Sequence, residues 1–408
     1  MKNKLLPVVM LLSLAVLTAC GGPPPQAATP SAQVPSATTA APTTAPTEPA
    51  TPTLQPTAPQ GEPVGEPAPL PLTDLTLFSD GSGWATDRAG SRIYHTSDSG
   101  LNWQEVSPAL AGSSVAYSTF LDGQTGWAVF SQIETSARLF ATTDGGAHWT
   151  TADLDFPGGQ LYFLDAQNGF MLASLGVGAG SEYVALYATQ DGGASWEQRF
   201  SHTPGGAEPS LPSGGIKNGL FFIDQNNGWV TGSAPISDSL YLYATTDGGT
   251  SWSQGSCSGL PTDAAGTYFE PLPPYALPDG TLILPVRALI GSSSTATLFC
   301  ASQDNGASWS LRSTTNLLAQ ATARSADGSL FAYDESHLFS STDGALTWQD
   351  LSASLPTGYL ILDVARVDAL TARMVVTNEV SLDVAQNWIF ESADGAETWQ
   401  LLPAQIAE

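Results

Sequence analysis

From residue 72 onwards, short apolar stretches alternate with polar, Gly-rich turns at the spacing expected of β-strands. Residues 240–244 (Leu-Tyr-Leu-Tyr-Ala), for example, run directly into a turn that contains two consecutive glycines. No long stretch with the 3.6-residue period of an amphipathic helix interrupts this pattern. The pattern predicts an all-β fold.

One eight-residue phrase, Ser/Thr-x-Asp-x-Gly/Ala-x-x-Trp, occurs seven times, and we call it the box. A match should arise by chance about once in 10⁵ positions at average residue frequencies, so the box marks an internal repeat. Its aspartate and tryptophan pairs are Asp98 and Trp103, Asp144 and Trp149, Asp191 and Trp196, Asp247 and Trp252, Asp304 and Trp309, Asp343 and Trp348, and Asp394 and Trp399.

Each box is interpreted as a hairpin turn. The aspartate is expected to accept hydrogen bonds from backbone N–H groups two or three residues further on, and the glycines supply positive φ. The tryptophan is expected to bury its ring against neighbouring strands. Ala345 and Ala396 replace the second glycine in the last two boxes, so those turns must avoid positive φ there or tolerate strain.

The spacing of the boxes predicts a propeller. Successive box aspartates are 46, 47, 56, 57, 39 and 51 residues apart, close to the roughly 40–50 residues of one four-stranded blade. A second phrase, Phe-x-Asp followed by Gly-Trp or Gly-Phe, precedes the first four boxes, so each unit contains two hairpins. We predict a single seven-bladed β-propeller of four-stranded antiparallel blades, with no strand exchange between the termini.

The segment before the repeats predicts export and anchoring. Lys2 and Lys4 precede an apolar run at residues 5–17, which is too short to span a membrane, and Leu-Thr-Ala-Cys20 follows. This layout resembles the lipobox of bacterial lipoproteins, which implies cleavage before Cys20 and lipidation of it. Residues 21–71 contain half of the 30 prolines and almost nothing to bury, which predicts a disordered stalk. The expected domains are 1–19, 20–71 and 72–408.

The charge narrows the class of partner. The formal charge of −26 becomes −28 once Lys2 and Lys4 are removed, so nucleic acid and anionic lipid surfaces should be repelled. Each box aspartate is a lone carboxylate, whereas a calcium site needs about six to eight converging oxygens. The four histidines lack ligand spacing, and no nucleophile elbow, zinc motif or phosphate loop occurs. We therefore expect no metal, no cofactor and no nucleic-acid partner, and we expect a monomer.

Cys257 and Cys300 are the two cysteines of the repeat region. We place Cys257 at the end of the outer strand of blade 4 and Cys300 in the third strand of blade 5. In an oxidising compartment these positions favour a disulfide, with two buried free thiols as the alternative.

The candidate ligand face lies opposite the box turns, where the loops vary most in length. Its longest stretches are residues 199–217 and 257–275. The candidate residues on or near them, any of which could also be an ordinary surface position, are Arg199, His202, Glu208, Lys217, Tyr268, Glu270, Tyr275 and Arg287.

The boxes, as in Thr-Thr-Asp-Gly-Gly-Ala-His-Trp149, resemble the Asp-box (bacterial neuraminidase) repeat. Together with the second phrase they are similar to the photosystem II stability and assembly factor family, which implies a seven-bladed propeller. Sialidases with similar boxes use converging arginines and an Arg-Ile-Pro phrase, and Arg92-Ile93-Tyr94 lacks the proline. The repeated residues form turns, so they say little about activity.

Three functions remain open at this point. The first is a membrane-anchored extracytoplasmic scaffold that binds an envelope protein or glycan without turnover. The second is a glycoside hydrolase, for which Glu208 and Glu270 are the best carboxylates if they lie about 5–10 Å apart across a cleft. The third is a purely structural spacer.

Overall fold

Seven four-stranded antiparallel blades follow one another around a central axis in the computed structural model, which confirms the predicted fold class. The structure describes residues 68–88, 90–109, 115–133, 136–202, 210–234, 236–291, 293–378 and 386–407. The expected signal peptide, Cys20, nearly all of the expected stalk, and Glu208 lie outside these residues. No helix in the described ranges has the length and apolar character needed to cross a bilayer.

The strands of blades 1 to 4 are β1 (Leu72–Leu77), β2 (Gly83–Asp87), β3 (Ile93–Thr96), β4 (Asn102–Glu105); β5 (Val115–Phe120), β6 (Gly126–Ile133), β7 (Ser136–Thr142), β8 (Thr150–Leu154); β9 (Gly159–Phe163), β10 (Gly169–Gly178), β11 (Ser181–Thr189), β12 (Glu197–Ser201); and β13 (Lys217–Phe222), β14 (Gly228–Gly232), β15 (Leu242–Thr245), β16 (Ser253–Gln254).

The strands of blades 5 to 7, with the C-terminal strand, are β17 (Cys257–Ser258), β18 (Thr267–Pro271), β19 (Tyr275–Ala276), β20 (Leu282–Ile290), β21 (Ser294–Ser302), β22 (Trp309–Thr315); β23 (Ala321–Arg324), β24 (Leu330–Tyr333), β25 (Leu338–Ser341), β26 (Gln349–Asp350); β27 (Tyr359–Arg366), β28 (Ala372–Asn378), β29 (Asn387–Ser392), β30 (Gln400–Leu401); and β31 (Gln405–Ile406). One turn of 3-10 helix, Ser352–Ser354, joins blades 6 and 7.

All seven boxes form the same hydrogen-bonded turn. The buried hydroxyl of the first residue donates to the aspartate Oδ1 over 2.7–2.9 Å. The same hydroxyl accepts the backbone N–H four residues further on over 2.8–3.2 Å. The aspartate accepts the N–H of the fourth residue after it over 2.8–3.0 Å in every box, and Asp343 also accepts that of the third, Leu346, as expected. The loop is longer than a β-turn, and the hydroxyl fills its centre.

The two alanine boxes resolve the question of positive φ. Ala345 and Ala396 adopt φ of 66° and 74°, so the left-handed conformation is kept at both positions. Both methyl groups are buried in apolar clusters between blades. Burial of each methyl group offsets part of the cost of about 1–2 kcal/mol for an L-residue in this conformation.

The core is a ring of apolar clusters between adjacent blades. Trp127 of blade 2, for instance, stacks on Phe163 of blade 3 with 3.6 Å between ring centroids. Three box tryptophans are buried and four are half-buried, as the sequence predicts. The indole N–H groups of Trp149 and Trp348 bond to Val106 and Ser313 of the preceding blade, whereas those of Trp309 and Trp399 have no partner among the described residues.

Closure of the ring differs in one respect from the expectation. Blades 1 and 7 each contain four strands of their own, but β31 continues past blade 7 and pairs in parallel with β4 of blade 1. Leu70 forms an isolated bridge to Asn387 of blade 7, and Leu75 N–H donates to Asp363 over 2.6 Å. Both ends of the propeller therefore cross the seam between its first and last blades.

The disulfide corrects the position of one cysteine. Cys257 lies in β17, which pairs with β22 as an outer strand of blade 5 and not of blade 4. It is joined in a disulfide to Cys300 of β21, which is the third strand of that blade as predicted. The bond closes a separation of 43 residues within a single sheet.

We predict that Gly249→Ala lowers the free energy of unfolding by about 2–4 kcal/mol. Gly249 has a φ of +89°, and a methyl group there would lie 2.0 Å from Leu186 Cδ2. Ala345→Gly is the matched control and should change stability by less than about 1 kcal/mol, because relief of strain is opposed by the lost methyl group and the added chain entropy. Denaturant unfolding measures both, and equal effects would contradict this account of the turn.

Candidate functional site

The box turns occupy one face of the propeller together with the turns between the first and second strands of each blade. In five blades the backbone N–H after the box aspartate donates to a carbonyl of that neighbouring turn over 2.7–2.9 Å. We call this side the turn face and the opposite side the loop face. Both hairpin turns of a blade therefore share one face.

His202 belongs to the core of blade 3 and not to a ligand face, which corrects the prediction. Its ring accepts the N–H of Val184 at Nδ1 over 2.8 Å and donates from Nε2 to Leu211 O over 2.8 Å. Only 3% of the residue is exposed. The imidazole hydrogen-bonds to the backbone of β11 just beyond the end of β12, so it has a structural role.

Lys217, the first residue of β13, is also buried, and its assignment to the ligand face is wrong. Its Nζ donates to the carbonyls of Glu182, Ser213, Gly214 and Gly215 over 2.8–3.2 Å. Backbone oxygens take the place of water around the ammonium, and these hydrogen bonds offset the cost of burying the charge. It therefore ties the loop before β13 to the hairpin of blade 3.

Glu270 and Arg287 are the two candidates that the structure brings together. They face each other across β18 and β20, and Arg287 Nη1 lies 3.0 Å from Glu270 Oε1. Burial raises the pKa of Glu270 to about 7 despite the attraction of Arg287, and burial also lowers the pKa of Arg287. Both side chains are about nine-tenths buried, so they form an internal ion pair and not a ligand site.

The remaining candidates are separated from one another. Tyr275 is buried in the cluster between blades 5 and 6, and burial raises its pKa. Arg199 lines a cleft on the turn face because it lies just after a box tryptophan, and it pairs with Glu197. Only Tyr268 is exposed on the loop face, where it lies opposite Leu289. The predicted ligand face is therefore not a single site among the described residues.

A cavity at the centre of the ring is lined by residues of all seven blades. It has a volume of about 680 Å³ and opens at the turn face, where the inner strands of the blades end. Its wall is mainly aromatic and aliphatic, and its charged members are Arg324 and Arg366. No carboxylate and no histidine belongs to this lining as the structure describes it. No motif or spacing in the sequence indicates these residues.

Arg366 is a buried guanidinium without a carboxylate partner at ion-pair distance in the described part of the chain. It stacks over Phe331 at 4.0 Å and donates to three carbonyls and to the hydroxyl of Ser340. Burial lowers its pKa to about 10, although Asp327 and Asp368 act in the opposite direction. The positive charge is retained at neutral pH beside the cavity.

Arg324 is more accessible. The residue is exposed, and its guanidinium donates to Ala276 O over 3.3 Å and lies 5.8 Å from the ring of Tyr275. The described residues include no carboxylate at ion-pair distance from it. Its remaining N–H groups are available to a ligand in the cavity.

One carboxyl group lies beside the central cavity. Asp363 lines an adjoining space of about 260 Å³ that shares Arg324 and Arg366 with the cavity. It accepts hydrogen bonds from Tyr333 Oη and Leu75 N, so it connects blades 6, 7 and 1. Burial raises its pKa to about 6. It is the sole carboxylate in the described lining of that space.

The box aspartates are fully used by their own turns. The Oδ2 atom of each accepts a side-chain donor four residues on over 2.5–2.7 Å, in addition to the two bonds at Oδ1. These bonds lower the pKa of Asp144 and of Asp394 to about 2, through His148 and Thr398 respectively. No group of three or more His, Cys, Asp or Glu residues suited to a metal ion occurs in the described ranges.

Comparison with known proteins supports the fold. The sequence matches no protein-family model and no curated protein. Among solved structures it is similar to YCF48 bound to D1 peptide, with 17% identity, 81% of this chain and 92% of that chain covered, and a TM-score of 0.50. It is also similar to the GH74 enzyme of Niastella koreensis, with 13% identity, a TM-score of 0.53, and 83% and 55% of the two chains covered. At these identities the likeness shows the propeller fold alone.

We predict that Glu270→Gln removes a decline in stability between about pH 4 and pH 7. The folded pKa of about 7 lies above that of the unfolded chain, so the free energy of unfolding falls as pH rises through this window. The decline should amount to about 1–3 kcal/mol in the parent and be absent from the variant, as measured by denaturant unfolding at several pH values. An unchanged slope would show that Glu270 is ionised throughout.

Asp144→Asn is the control for that experiment. Its bonds to His148 lower the pKa of the carboxyl to about 2, so the stability it contributes is present above about pH 4 and is lost as pH falls toward 2. The variant should therefore alter the pH profile only on the acidic side.

Proposed function

We propose that this chain is a binding module that holds a protein segment or glycan of the cell envelope in its central cavity, without turning it over. One observation carries the proposal: the described cavity lining combines aromatic and aliphatic side chains with two guanidiniums and contains no carboxylate or histidine. Such a wall supplies contact area and hydrogen-bond donors but no carboxylate or imidazole to act as a general acid or base.

The recognition chemistry follows from the wall. Tyr162, Phe78 and Phe120 are half-buried, so their rings are partly accessible to apolar or sugar faces. Arg324 supplies planar donors that fit a carboxylate, a sulfate or a carbonyl. One propeller of similar fold, YCF48, is described as bound to a peptide, which supports a peptide as one class of ligand.

The hydrolase alternative is weaker in the described chain. A glycosidase needs two carboxyl groups about 5–10 Å apart across the substrate. Glu270 is committed to Arg287, and Asp363 is a single carboxylate in its space. The proposal therefore assigns the cavity to binding.

The proposed location is the extracytoplasmic side of a membrane, with Cys20 as the lipid attachment site. The positively charged start, short apolar run and Leu-Thr-Ala-Cys20 sequence support export, and the Pro-rich stretch after it supports a spacer. The oxidised pair Cys257–Cys300 agrees with an oxidising compartment. A monomer without nucleic-acid partners remains part of the proposal.

We predict that Arg324→Ala weakens ligand binding by about 10- to 100-fold, the effect of losing one charge-assisted contact. The intact chain is applied to arrays of envelope glycans and peptides, and the affinity for each bound probe is then measured by calorimetry. Arg138→Ala is the matched control, because Arg138 is exposed at the periphery and pairs with Asp153. Its binding should equal that of the parent.

Two results would contradict the proposal. Saturable cleavage of a glycoside that is abolished by Asp363→Asn, Glu270→Gln or Glu208→Gln would establish a hydrolase instead. The absence of any bound glycan or peptide would support the structural spacer.

A further inference from the structure

The hairpin of blade 3 extends well beyond the inner strand of its blade. β9 pairs with β10 only from Gly169 to Ala173, whereas β10 continues to Gly178 and pairs with β11 up to that residue, with a register shift at Leu175. No other described strand pairs with residues 174–178 on the side that β9 has left. This part of β10 is therefore an open sheet edge.

The opposite edge of the same hairpin is covered. Glu182 N–H donates to Ser213 O, Gly215 N–H donates to Gly180 O, and Ser181 bridges in parallel to Gly215. The long hairpin of blade 5 is covered as well, because β18 pairs with β20 up to Ile290. The β10 side of the blade 3 hairpin is therefore open over residues 174–178, whereas the equivalent side of the blade 5 hairpin is paired to its end.

The open edge lacks charges and prolines, two of the devices that normally protect such edges, and its one irregularity is a register shift of the β-bulge kind at Leu175. Residues 174–181 read Ser-Leu-Gly-Val-Gly-Ala-Gly-Ser, without a charge or a proline, in a protein with 38 acidic residues. Natural edge strands are usually protected by charges, prolines or covering loops. Leu175 and Val177 are 40% and 63% exposed, and a methyl group added at Gly176 or Gly178 would meet nothing within 4 Å.

The turn at the tip defines which groups point outward. Ala179 and Gly180 both have positive φ, as in a two-residue type I′ turn, so Gly178 and Ser181 form the hydrogen-bonded pair beside it. Val177 and Glu182 are then a non-hydrogen-bonded pair. The N–H and C=O of Val177 therefore point to the open edge and not to β11.

We propose that the edge formed by residues 174–178 binds an extended segment of a partner polypeptide, which adds to blade 3 as a further strand. Backbone donors and acceptors that alternate along a strand are matched in spacing by another polypeptide backbone and not by a glycan. The exposed Leu175 and Val177 select apolar side chains beside that backbone. The negative charge of this protein favours a neutral or basic segment. The site is separate from the central cavity and goes beyond the function proposed for it.

The test uses the full chain and a phage-displayed library of random seven-residue peptides. Enriched sequences should be rich in β-branched and apolar residues, and each is synthesised and its affinity measured by fluorescence anisotropy. Val177→Pro removes one outward N–H at a position where an edge strand tolerates proline, and it should weaken binding at least 10-fold. Val177→Lys, which retains the N–H but adds a charge, should also weaken it.

Ile236→Lys is the matched control, because Ile236 is 61% exposed but lies on blade 4. It should bind the peptides as the parent does. Methylating the backbone nitrogens of a peptide that face the edge should abolish binding, whereas methylating those that face away should leave binding unchanged. Bound peptide should also slow hydrogen exchange at Val177. Thermal unfolding verifies that each variant is folded.

Several outcomes would overturn the proposal. The first is that no peptide is enriched. The second is that the parent, Val177→Pro and Val177→Lys proteins bind the peptides equally well. The third is that the parent associates with itself and Val177→Pro abolishes this association, which would make the occupant a second copy. The Arg324→Ala variant distinguishes the two sites. If it loses peptide binding while the Val177 variants keep it, the peptide lies in the central cavity and the proposed edge site is wrong.

Discussion

The buried hydroxyl of each box is the contact on which the rest of the structure depends. It donates to the aspartate and accepts the N–H that closes the loop, so it satisfies two groups inside a turn that water cannot enter. With the hydroxyl in place, the backbone after the aspartate reaches the neighbouring turn, as Gly248 does with Asn226. One side chain thus fixes the relative position of the two hairpins of a blade.

A blade defined in this way has two apolar faces and cannot be stable alone. The clusters between blades bury those faces in sequence, and the last cluster joins Val375 and Ile389 of blade 7 to Leu75 and Trp103 of blade 1. Ring closure is therefore a packing requirement. The β31 strand and the Asp363 carboxylate reinforce a seam that already has its own core.

The sequence was sufficient for the fold because its signal is local. A box needs only eight consecutive residues, and a spacing of about 49 residues identifies the blade. Asp368 shows the limit of this reading: it accepts two backbone N–H groups in the first turn of blade 7, yet it lies outside the Phe-x-Asp phrase. The geometry of a turn can persist after its sequence pattern has changed.

The candidate site was harder to predict because its residues meet only after the ring closes. Arg324 and Arg366 end the inner strands of two successive blades, and no spacing in the chain indicates that both face one cavity. Conversely, His202 and Lys217 lie on long polar stretches that suggested a surface, but each bonds to backbone carbonyls of the loop before β13, which packs on the hairpin of blade 3. Polarity in a sequence does not distinguish a side chain that binds a ligand from one that completes the backbone.

The distribution of charge then limits where binding can occur. The turn face carries the seven box carboxylates, and both oxygens of each are occupied, as at Asp247, so this face repels anions without offering an open cation site at the boxes. The centre of the same face is different, because the charged side chains in its described lining are both positive. A local positive site within a field of negative charge favours ligands that can enter the cavity over those that merely contact the surface. This propeller therefore selects ligands through the charge at its central cavity and not through a motif repeated over its surface.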